Sequence, residues 1–136
     1  MSAFQLCAAF DLFAGSTQFL SSFSISGFNF TILGSNPKVS ISVNGNYQGL
    51  RFPNNGIEIV LPVPMTTVNL KIGTFGGPVD ISATDSAGNL VRKKSIPEQK
   101  RYINIRLSAP EIASLTLTGG RDEAVLANIC VIVSSC

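Results

Sequence analysis

A chain of 136 residues predicts one domain, residues 1–136, with a single hydrophobic core of its own. Hydrophobic side chains make up 45% and charged ones only 13%, and the net charge of +2 is too small to imply a nucleic-acid partner. No segment reaches the roughly 18 apolar residues that a membrane span needs, and the absence of histidine excludes Ser-His-Asp and Cys-His catalysis in their usual form.

The first 37 residues hold one charge, Asp11. No Lys or Arg precedes the apolar start, so it makes a poor secretory signal. Residues 1–10 read as part of the domain, as an extension of it, or as a strand exchanged with another copy. From Phe28 onward period-two alternation dominates. Phe28, Phe30 and Ile32 lie opposite Asn29 and Thr31, and Val39, Ile41 and Val43 alternate with Ser40 and Ser42. The pattern recurs at Ile57/Ile59/Leu61, Val68/Leu70/Ile72, Val79/Ile81/Ala83, Ile103/Ile105/Leu107 and Leu115/Leu117. Strands with one apolar and one polar face require two packed layers. Asn44-Gly45-Asn46, Asn54-Asn55-Gly56 and Asp85–Asn89 supply tight turns, and Pro62 and Pro64 mark a strand end or an edge. The expected fold is therefore all-β: a single antiparallel two-sheet β-sandwich, jelly-roll-like, of eight or nine strands.

The last strand alternates less cleanly. With Val125, Ala127, Ile129, Val131 and Val133 inward, its other face presents Leu126, Asn128, Cys130 and Ile132, three of them apolar. Such a strand is either covered or lies in an interface. Phe4, Leu6, Leu126, Ile132 and Cys136 are accordingly the candidate residues for contacts between copies.

Three cysteines leave an odd thiol if a bridge forms. If the first and last strands are neighbours, Cys7–Cys130 is the natural pair, and Cys136 is left to bridge another subunit. The other reading is three reduced thiols, two of them packed as small apolar groups.

Catalytic chemistry finds little support. There are eight carboxylates, and Asp122 and Glu123, adjacent on an extended chain, would point to opposite faces. Gly73–Gly77 lacks the lysine and helix of a phosphate loop. The expectation is a non-enzyme with no catalytic residue. Arg92, Lys93, Lys94, Lys100, Arg101 and Arg106 cluster around Glu98, either guarding strand edges or forming a basic contact patch. Sugar rings stack on flat aromatic side chains, but Trp is missing. Tyr47 and Phe52, near a turn, are the candidate ligand platform, and Phe75 also lies near a turn.

Cys7-Ala8-Ala9-Phe10-Asp11, Gly15-Ser16-Thr17 and Gly27-Phe28-Asn29-Phe30-Thr31 open the chain, and Gly119-Gly120-Arg121-Asp122-Glu123 followed by Asn128-Ile129 closes it. This pattern resembles bacterial extracellular β-sandwich domains similar to jelly-roll carbohydrate-binding modules. The resemblance implies an extracellular or cell-surface location and a structural calcium at positions matching Asp11 and Asn128. Asn in place of Asp there removes a charge, and calcium wants six to eight oxygens. No other cofactor is expected.

Two functions follow. The first is a structural, self-associating surface protein, a filament or appendage-type subunit whose partners are copies of itself. It rests on the uncharged start, the last strand and Cys136. The second is an extracellular carbohydrate-binding or adhesion module with glycan partners, stabilised by calcium if the site exists.

Overall fold

The computed structural model describes residues 2–10, 18–19, 22–33, 39–44 and 47–135. Among them are eleven strands: β1 (Ser2–Ala9), β2 (Gln18–Phe19), β3 (Ser22–Ile25), β4 (Phe28–Ile32), β5 (Val39–Asn44), β6 (Tyr47–Phe52), β7 (Ile57–Thr74), β8 (Val79–Thr84), β9 (Leu90–Ile96), β10 (Tyr102–Gly119) and β11 (Ala124–Ser135). All pairings are antiparallel. The fold class expected from the alternation is the one formed.

The two 18-residue strands, β7 and β10, organise the sandwich because each serves both layers. The first half of β7 pairs with β4 and with the second half of β10, which continues to β8 and β9. Its second half pairs with the first half of β10 on one side and with β11 on the other. Beyond β11, the chain places β6 against residues 124–126 and β1 against residues 128–135. One layer therefore runs β5–β6/β1–β11–β7–β10 and the other β3–β4–β7–β10–β8–β9. Between them lies one core, which includes Phe28, Phe30, Ile59, Leu70, Ile81, Leu107 and Leu117. Phe10, fully buried, meets Phe23 and Phe30 edge-on, so the end of β1 packs onto the β3–β4 hairpin across the sandwich.

Pro62 and Pro64 neither end a strand nor sit on an edge. They lie inside β7, in the stretch between Val60 and Met65 where the register with β10 is broken. There the chain crosses between layers, so a missing N–H costs no ladder bond. Gly56 makes the turn into β7 with φ +108, and a Cβ on it would lie 2.3 Å from the Leu117 carbonyl oxygen.

The last strand departs most from the sequence reading. The register against β7 shifts between Leu126 and Asn128, two residues of β11 answering one step of β7. This β-bulge reverses the facing of the strand before it. Ala124 and Leu126 enter the core together with Ile129 and Val131, while Val125 turns outward and fills the space over Gly49. Leu126 is fully buried and Leu6 packs against the core, so neither is a contact residue on the surface. Ile132 is 45% exposed. The side chains of Phe4 and Cys136 lie outside the described residues. β1 pairs over eight residues with β11 of its own chain, and Cys7 and Cys130, directly opposite in that register, form a disulfide.

Half of the basic cluster, Arg92, Lys93 and Lys94, belongs to the edge strand β9. Arg92 and Lys94 on β9 stand in register with Ala83 and Ile81, on the inward-facing side of the layer, yet remain exposed. Inward-pointing charges on an outer strand discourage pairing with another chain.

Candidate functional site

The outward residues of β1, β11, β7 and β10 form a polar face assembled from four strands that are distant in sequence. Three rows cross it in register. Ala9, Asn128, Lys71 and Asn104 make one, and Cys7, Cys130, Asn69 and Arg106 make the next. Toward the β6 end, the third is Arg51, Val125, Gly73 and Tyr102. Between these rows and Gln5 lies a groove of about 520 Å³, floored by the disulfide and walled by the carboxamides of Asn69, Asn104 and Asn128 with the Arg106 guanidinium.

Beyond the groove, in the third row of the same face, stands an aromatic pair. The Phe75 ring covers Gly73 so closely that a Cβ there would lie 2.3 Å from it, and it meets Tyr102 edge-to-face at 5.4 Å between centroids. The Lys71 ammonium stands 5.9 Å from the centre of the Tyr102 ring, a cation–π arrangement. The chain leading into Tyr102 is fixed by buried Thr74, whose Oγ1 accepts from the Gln99 N–H at 2.8 Å and whose carbonyl accepts from the Lys100 N–H at 3.1 Å.

Burial pushes the Tyr102 pKa up to about 12. Below pH ~10 the phenol is neutral in folded and unfolded chains alike, and its contribution to stability is complete. Between pH ~10 and 12 the unfolded chain loses the proton first, so stability falls as pH rises through that window. Tyr102→Phe is expected to remove this component of alkaline destabilisation, as read by urea denaturation between pH 9 and 12. Parallel curves for both proteins would contradict the assignment.

The carboxylates stand elsewhere. Asp85 accepts from the N–H groups of Asn89 (2.9 Å) and Ala87 (3.0 Å), and Glu111 accepts from the Ser86 hydroxyl and N–H (2.9 Å for the latter). These bonds hold both pKa values down, chiefly through Asn89 for Asp85 and Ser86 for Glu111, and brace the β8–β9 turn. Among the described residues no aspartate or glutamate lies on β1, β11, the second half of β7 or the first half of β10, while Glu58 and Glu111 stand on the other halves of the two long strands.

Family 29 carbohydrate-binding modules share this architecture. A module of Piromyces equi superposes with a TM-score of 0.56 over 100% of this chain and 94% of its own, at 11% identity. A variant of a second family 29 module, complexed with mannohexaose, gives 0.58 over 97% and 93%, also at 11% identity. Another variant, complexed with cellulohexaose, gives 0.54 over 87% and 92% at 12% identity. The likeness is one of fold. No protein-family model and no curated protein sequence matches the chain.

Several sequence-derived site residues fall differently from expectation. Phe52 is 1% exposed and belongs to the core, because the inward face of β6 carries Leu50 and Phe52. It offers no ring to a ligand. The side chain of Tyr47, like Asp11, lies outside the described residues. Asn128 faces the groove with Lys71 directly across from it. Among the described residues no group of three or more His, Cys, Asp or Glu side chains gathers that could hold a metal. Tyr102, Asn104 and Arg106 were visible as the polar side of an alternating segment. That they share a face with Asn69, Lys71 and Asn128 was not.

Proposed function

We propose that the protein is a non-catalytic carbohydrate-binding module whose ligand lies along the outer face of β1, β11, β7 and β10. The observation that carries this reading is the groove lined by carboxamide residues together with the Phe75–Tyr102 pair beyond it on the same face. Carboxamides donate and accept at once, as sugar hydroxyls require. Aromatic rings cover the apolar faces of sugars at low conformational cost. The family 29 modules of similar fold include structures complexed with mannohexaose and cellulohexaose, which supports a linear oligosaccharide as the ligand class here. The Cys7–Cys130 disulfide suits an oxidising, extracellular setting, where glycans are met.

Calorimetric titration with a panel of neutral and acidic linear hexasaccharides tests the reading. Tyr102→Ala is expected to weaken whichever glycan binds by about tenfold, equivalent to about 1.4 kcal/mol, with the melting transition still cooperative. Binding indifferent to Tyr102→Ala, or no binding across the panel, would overturn the proposal.

A further inference from the structure

The groove layer carries charge of one sign. Among the described residues, the strands of the groove layer (β2, β5, β6, β1, β11, the second half of β7 and the first half of β10) carry Arg51, Lys71 and Arg106 and no carboxylate. The opposite layer is mixed, with Glu58 and Asp80 on its outer face beside Lys93 of β9. Glu98 and Glu123 stand on loops beyond the Tyr102 end, and Glu98 lies 3.9 Å from the Lys100 ammonium. Within the groove face, Arg106 lies opposite Asn69, and Lys71 lies opposite Asn104, so the two cations are diagonal neighbours across the β7–β10 pair. Both stand beside the carboxamides that wall the groove.

We infer that the ligand of this face is an acidic glycan, one bearing carboxylate or sulfate groups along its length, with Arg106 and Lys71 as the residues that select it. The inference rests on the carbohydrate-binding reading above and adds the substrate class. A guanidinium offers two parallel N–H donors to the oxygens of one carboxylate or sulfate, and the ammonium supplies a second point charge beside the groove on the same face. The carboxamides of Asn69, Asn104 and Asn128 are left for hydroxyls. A neutral chain would cover both cations and remove their water while returning no countercharge. An anionic chain meets no like charge on these strands.

Calorimetric titration of the full chain with hexagalacturonate, its methyl ester, a sulfated hexasaccharide, mannohexaose and a single-stranded DNA oligomer, at 0.05 and 0.3 M NaCl, tests this. Hexagalacturonate or the sulfated chain is expected to bind at least about tenfold more tightly than the methyl ester. That preference should shrink at the higher salt, since screening shortens the reach of exposed charges, and the two acidic arms tell carboxylate from sulfate. Arg106→Gln should cost the acidic ligand at least about tenfold in affinity and narrow its preference over the methyl ester. Lys71→Gln gives the same readout if the first variant fails to fold. Neutral chains binding as tightly as acidic ones at both salts would overturn the inference and leave the carbohydrate reading standing. No glycan binding at all would overturn both. DNA binding as tightly as the acidic glycans would mark a general polyanion surface and overturn the selection proposed.

Discussion

Replacing Cys7 and Cys130 together with alanine is expected to lower the unfolding free energy by about 5 kcal/mol, the chain-entropy value for so long a closed loop. The two cysteines are separated by 123 positions, and their bond ties the first strand to the last. Without it the unfolded chain regains nearly all its freedom, while the folded chain keeps the eight-residue β1–β11 ladder. Urea denaturation of the double variant, and of the native chain with and without reductant, reads the effect. The melting temperature should drop by roughly 10–20 °C. A change below about 1 kcal/mol would mean that the bridge does not constrain the unfolded chain. Because the pair floors the groove, reduction should weaken glycan binding as well, through loss of the surface on which the carboxamides are set.

The second large effect separates two neighbours on β11. Leu126→Ala is expected to cost about 2–5 kcal/mol, as for other fully buried leucines. Ile132→Ala, 45% exposed, should change stability by no more than about 1 kcal/mol. Straight alternation along the strand would put both residues on the same outer face and predict similar, small values. Denaturant midpoints for the two variants decide between the bulged and the unbulged strand. Equal costs would reject the bulge at Leu126–Asn128.

How far the sequence could be read follows from the same strand. Period-two alternation is a local property, and wherever a strand is regular it placed the core correctly: Phe28, Phe30 and Ile32, Ile57 and Ile59, Val79 and Ile81 are all buried. A bulge adds a residue without a signature in side-chain type, so the inward set of β11 slipped at Leu126. The prolines misled for a related reason. They forbid ladder pairing, and sequence alone equates that with an edge or an end, whereas β7 loses its ladder partners where it passes from one layer to the other. Phe52 was misread because a nearby turn suggested exposure, yet it continues the inward face of β6 beside Leu50.

Composition and periodicity determined that this chain is an all-β sandwich without histidine chemistry, and they offered Cys7–Cys130 as a pairing conditional on neighbouring end strands. These are consequences of what each residue is and of its immediate neighbours. The groove is of another kind. Asn69, Asn104, Arg106 and Asn128 come from three strands, and nothing along the chain relates them. Only antiparallel register brings them into adjacent rows, and only the β11 bulge sets Asn128 over Lys71. Tertiary structure alone also gathered three cations on one layer and kept Glu58 and Glu111 on the halves of β7 and β10 that belong to the other, because the charge of a face depends on which strand segments pair.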